Sequence, residues 1–129
     1  MNRALFLWLF FISLLFAIPD GYFAKEEEVV LKKDEVALYE ASGNKFFFRW
    51  TLYVNNGLVM HYNYDGFPYQ NILYKKHKLN SFKIPLKRGF DNHMQAPYIM
   101  VVFKEFREKE AYFTVYLYDP MKSIKLKRE

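Results

Sequence analysis

Apolar and polar residues alternate with a period of two between residues 45 and 54. Phe46, Phe48, Trp50, Leu52 and Val54 fall on one side of an extended chain, and Lys45, Arg49 and Thr51 on the other. This is the pattern of a half-buried strand. Asn55-Asn56-Gly57 follows, and alternation resumes at Leu58, Met60, Tyr62 and Tyr64, so the two runs predict a β-hairpin. Its register is chosen by matching faces. A two-residue loop at Asn56-Gly57 sets Leu52 against His61 and Trp50 against Asn63, mixing apolar with polar on both faces. A three-residue loop over 55–57 sets Val54 against Leu58, Leu52 against Met60, Trp50 against Tyr62 and Phe48 against Tyr64, which makes one continuous apolar face. The pattern therefore predicts the three-residue loop, with Gly57 left-handed beside a bulge and Trp50 in the core on the face it shares with Leu52 and Tyr62.

The rest of the chain reads in the same way. Val29, Leu31, Val36 and Leu38 suggest two short strands between Glu26 and Glu40, with a helical turn as the other option, and Ala41-Ser42-Gly43-Asn44 is a turn cluster. Asp65-Gly66 is a second turn, leading into a strand over 69–75. Ser81 to Leu86 alternates, and Pro85, which has no N–H to donate, assigns that strand to a sheet edge. Residues 87–97 form a long connection. Strands over 98–106 and 111–118 are joined by the charged turn Arg107-Glu108-Lys109-Glu110, and Ile124 and Leu126 alternate among lysines as a last edge strand or a frayed end. The fold class that follows is all-β: an antiparallel β-sandwich or small barrel built of hairpins, a single domain over residues 25–129.

Before it, residues 1–24 read as one hydrophobic helix. Arg3 is followed by an apolar run from Ala4 to Ile18, broken by Ser13 alone and ended by Pro19-Asp20-Gly21. A bilayer-spanning helix needs about 20 apolar residues, so the length of this run suits a cleavable signal. The cleavage positions are poor, however: cutting after Ala17 leaves Leu15 at −3, and cutting after Ala24 leaves Tyr22 there. Signal peptide and signal-anchor helix both stay open. Arg3 ahead of the run and Asp20, Glu26, Glu27 and Glu28 behind it predict export of the remainder to a periplasmic or extracytoplasmic location, anchored in the inner membrane by residues 4–18 if uncleaved.

Composition adds two facts. Aromatic residues are 21% of the 129, more than one small core consumes, which points to a protein-binding face. Zero cysteine removes disulfides, thiolate nucleophiles and every Cys-containing metal motif. The net charge of +5 suits anionic headgroups or an acidic partner; nucleic acid is an unsuitable partner for an exported chain.

Catalytic signatures are missing from the sequence. There is no Gly-x-Ser-x-Gly, no phosphate-cradling loop and no nucleotide fingerprint, so no cofactor and no catalytic residue is assigned. Among the histidines, His77 lies between Lys76 and Lys78, where like charge repels a cation. His61, Asp91 and His93, with Asp65 as a further donor, are the residues a small exported enzyme or metal-dependent binding protein would use. A basic and aromatic stretch, Tyr74, Lys75, Lys76 and Lys78 with Lys87 beyond the next strand, is the candidate anionic surface. The 87–97 connection carries Arg88, Phe90, His93 and Met94, residue types that concentrate in protein interfaces, and is the candidate partner-binding loop. The expectation is a non-enzymatic, envelope-localised interaction or assembly module of a membrane-associated complex, with other envelope proteins as partners and the membrane reached through an uncleaved N-terminal segment.

Overall fold

The computed structural model describes residues 23–75, 78–86, 96–120 and 122–129, and over these the chain is all-β. Nine strands follow in order: β1 (Phe23–Lys32), β2 (Ala37–Ala41), β3 (Asn44–Val54), β4 (Gly57–Tyr64), β5 (Phe67–Tyr74), β6 (Ser81–Pro85), β7 (Tyr98–Arg107), β8 (Glu110–Tyr118) and β9 (Leu126–Arg128). They form two antiparallel sheets, β1-β8-β7-β6 and β5-β4-β3-β2-β9. The buried faces of the two sheets pack into one sandwich-like core. The expected N-terminal helix lies outside the described residues, and β1 begins at Phe23, inside the segment assigned to it.

Rings bridge the two sheets in this core. Phe48 meets Phe113 edge-on at 5.3 Å between centroids and Phe82 at 6.4 Å. Trp50 is buried, packs edge-on against Phe106 at 5.3 Å, and donates its indole N–H to the Leu31 carbonyl oxygen at 2.8 Å. Its placement in the core agrees with the sequence pattern.

The β3–β4 hairpin does not follow the expected register. Val54 pairs with Gly57, Tyr53 with Leu58 and Leu52 with Val59, while Trp50 pairs with Met60 and Phe48 with Tyr62. The loop is the two residues Asn55-Asn56, at φ of 52° and 63°, the primed hairpin geometry that suits strand twist. Gly57 is not left-handed. It is buried because Tyr74 lies across it: a Cβ there would sit 3.0 Å from Tyr74 Cε1 and 3.2 Å from Ile72 Cγ2. A bulge between Trp50 and Leu52 absorbs the extra residue, so Leu52 and Val54 turn outward and Tyr53 turns in.

The reason lies in the opposite sheet. β7 carries its own bulge between Phe103 and Glu105, which brings both Phe103 and Phe106 toward the core. Tyr53 stacks on Phe106 at 4.0 Å and meets Phe103 edge-on at 6.3 Å. Two facing bulges therefore exchange aliphatic burial at Leu52 and Val54 for a three-ring cluster, a contact that strand periodicity within β3 does not contain.

The two open sides of the sandwich are closed differently. On the β1–β9 side, Lys25 Nζ donates to the Leu126 carbonyl oxygen at 2.8 Å, and Arg128 approaches Glu27 at 3.6 Å. On the β5–β6 side, Tyr62 stacks between Tyr69, at 5.1 Å, and Phe82, at 4.1 Å. β6 and β9 are both edge strands, as Pro85 and the lysine-flanked tail imply.

Candidate interaction surfaces

Four strands build the first surface, the outer face of the β1-β8-β7-β6 sheet. Their registers align Phe23, Tyr118, Tyr98 and Pro85 in one row across the sheet, and Glu26, Tyr116, Met100 and Lys83 in the next. Tyr98 and Tyr118 stack at 4.9 Å, Phe23 packs on Tyr116 at 4.8 Å, and the Lys83 ammonium stands 4.7 Å over the Tyr98 ring. These aromatic residues and Met100 are half-buried. Tyr98, Met100, Tyr116 and Tyr118 give β7 and β8 apolar or aromatic residues on the outer face as well as the inner one, a two-sided pattern readable in the sequence.

The second surface is the outer face of the other sheet, where β3, β4 and β5 end. The bulge at Thr51 puts Leu52 in a row with Val59 and Ile72, and Val54 in a row with Gly57 and Tyr74. Leu52, Val54 and Ile72 are 51%, 52% and 44% exposed. The Tyr74 N–H donates to the Leu79 carbonyl oxygen at 3.1 Å, which holds Leu79 and the exposed Lys78 near the end of β5, where Lys75, also exposed, follows Tyr74. On the other flank Arg49 lies 4.0 Å from Asp34. Tyr74, Lys75 and Lys78 were legible in the sequence as one basic and aromatic stretch. Leu52, Val54 and Ile72 were not, because their exposure depends on the bulge.

Of the candidate anionic surface, Tyr74, Lys75 and Lys78 are described, at the end of β5 and in the connection to β6. Lys76, Lys87, Arg88, Phe90, Asp91, His93 and Met94 lie outside the described residues. The described ends of the 87–95 segment are fixed: Leu86 N–H donates to the Pro97 carbonyl oxygen at 2.9 Å, and the Leu86 carbonyl accepts from the Tyr64 hydroxyl at 3.0 Å. His61 stands between Arg49 and Gln70 on the outer sheet face. Among the described residues, no group of three or more His, Asp or Glu side chains converges on one point. A groove of about 200 Å³ beside Tyr62, Tyr69, Lys83 and Pro85 is aromatic-walled, with Asp65 at its margin.

Burial sets the protonation behaviour of two tyrosines. It pushes the Tyr39 phenol well above its ordinary value, the Glu27 carboxylate adding to the effect and Arg128 opposing it. It also raises Tyr62, against a hydrogen bond from Asn71 that lowers it. In comparisons with protein-family models, curated proteins and solved structures, nothing matched this chain.

Proposed function

We infer that the protein is a non-enzymatic, envelope-localised interaction module, exported by its N-terminal segment and working in the assembly of a membrane-associated complex with other envelope proteins. The observation that carries this reading is the aromatic double row on the outer face of the β1-β8-β7-β6 sheet. Tyr, Phe and Met are enriched where protein interfaces carry binding energy, and stacked rings bring large contact area at low conformational cost. The 87–95 segment, which carries Arg88, Phe90, His93 and Met94, leaves the sheet beside this row: Pro85 pairs with Tyr98 and Leu86 is bonded to Pro97. In this reading the loop and the row bind the same partner.

Co-purification from solubilised envelope, read by mass spectrometry, tests the reading. Tyr98→Ser with Tyr116→Ser, and separately Phe90→Ala with Met94→Ala, should each remove the same partner while the protein remains folded. A partner set identical to that of the unmodified chain in both variants overturns it.

A further inference from the structure

The two outer faces differ in chemistry. One is aromatic and carries Met; the other, at Leu52, Val54, Val59 and Ile72, is aliphatic, ends on Tyr74, and is flanked by Lys75 and Lys78. We propose that this second face docks on an anionic lipid surface, with the aliphatic rows meeting the acyl boundary and the two lysines meeting phosphate headgroups. The inference rests on the envelope location proposed above and adds a second, independent contact to it.

Three observations favour lipid over a protein partner. The flanking cations are lysines, which are depleted from protein interfaces but suit headgroups as point charges, since a flexible stem lets the ammonium reach outward while its methylenes stay in apolar contact. The face is the outside of a sheet, and the residues turned out by the bulge are Leu and Val, fitted to a fluid apolar phase that needs no shape complementarity. Tyr74 lies over Gly57 at the lysine end of the patch, and Tyr is the residue type that partitions to the headgroup level.

The absence of cysteine makes the test direct. The full chain carrying Val54→Cys, labelled with an environment-sensitive fluorophore, is reconstituted into vesicles of phosphatidylcholine alone and of phosphatidylcholine with phosphatidylglycerol in equal parts. Glu28→Cys, on the outer face of the other sheet, serves as the control. The expected result is a blue-shifted emission from position 54, quenched by lipid-borne quencher, in the anionic vesicles only, with position 28 water-like throughout. Lys75→Gln with Lys78→Gln should lower the docked fraction by about an order of magnitude. Water-like emission at 54 in both vesicles overturns the proposal, as does a blue shift that lipid-borne quencher leaves untouched, which would mean burial against protein. An equal shift at 28, or no effect of the lysine pair, overturns it as well. The readout does not depend on co-purification, so a silent position 54 while the Tyr98/Tyr116 and Phe90/Met94 variants lose the partner rejects the lipid contact alone, and an unchanged partner set in those variants with position 54 responding rejects the assembly reading alone.

Discussion

Tyr39 is the residue at which this fold carries its clearest local cost. It is fully buried, its ring lies near-parallel to those of Phe46 and Phe48 at 6.1 and 6.4 Å, and its hydroxyl has no partner among the described residues. An unsatisfied buried hydroxyl costs about 1–3 kcal/mol, so Tyr39→Phe should stabilise the protein by about 1 kcal/mol in urea denaturation at neutral pH. The same residue predicts alkaline behaviour. Its folded-state pKa lies above the unfolded one, so the neutral phenol contributes stability that is fully present below the ordinary tyrosine value near 10 and is lost as pH rises from there toward the folded value. Stability should therefore fall as pH climbs past about 10, and Tyr39→Phe should make that fall shallower, with Tyr62 supplying part of what remains. An unchanged slope would mean that the Tyr39 phenol is not held neutral by burial.

At the scale of elements, the β3–β4 hairpin separates what the sequence contains from what it does not. Phe46, Phe48 and Trp50 face the core as their alternation says, and Pro85 marks an edge strand for the local reason that it lacks a donor. Alternation fails after Trp50 because a bulge costs the strand one residue of phase, and what favours that bulge is Tyr53 meeting Phe103 and Phe106, more than 45 positions away in sequence. Gly57 was read as a left-handed turn residue. Its actual constraint is the Tyr74 ring, a neighbour fixed only by the β4–β5 register. The apolar patch was hidden for the same reason, since no window of sequence containing Leu52 and Val54 distinguishes core from surface. The two explanations of Gly57 differ in outcome. Gly57→Val should cost about 1–3 kcal/mol by overpacking against Tyr74, and Tyr74→Ala should restore part of that loss. Asn56→Gly, at a position with φ of 63°, should be neutral or mildly stabilising in the same denaturation experiment. If Tyr74→Ala gives no relief, the close approach is not what requires glycine.

For the whole molecule, the decisive feature is how the sheets exchange their outermost strands. β1, from the start of the domain, completes the sheet made by β6, β7 and β8, and β9, from its end, completes the sheet made by β2 to β5. The C-terminal strand is short, yet Leu126 is buried, its carbonyl holds Lys25, Glu129 N–H donates to the Leu38 carbonyl at 2.9 Å, and Arg128 faces Glu27 across the same side. Deleting residues 126–129 should cost about 2–4 kcal/mol, from lost apolar burial and broken hydrogen bonds, and should leave β2 as an open edge prone to intermolecular pairing. Denaturation together with sedimentation checks both parts, and a truncated chain as stable and as monomeric as the intact one would show that β9 is ornamental.

The exchange of strands has a further consequence in time. Lys25 pairs with Leu117, and Tyr39 with Arg128, so neither sheet is finished until almost the last residue is available. A chain delivered amino end first, through a translocation pore or from a ribosome, would present β1 early with nothing to zip against, and β2 to β5 with one flank still bare. Such long-range closure makes folding slow for a chain of this size. The architecture thus leaves an emerging chain pliable and lets it become rigid only when β1 and β9 meet along the same side of the sandwich.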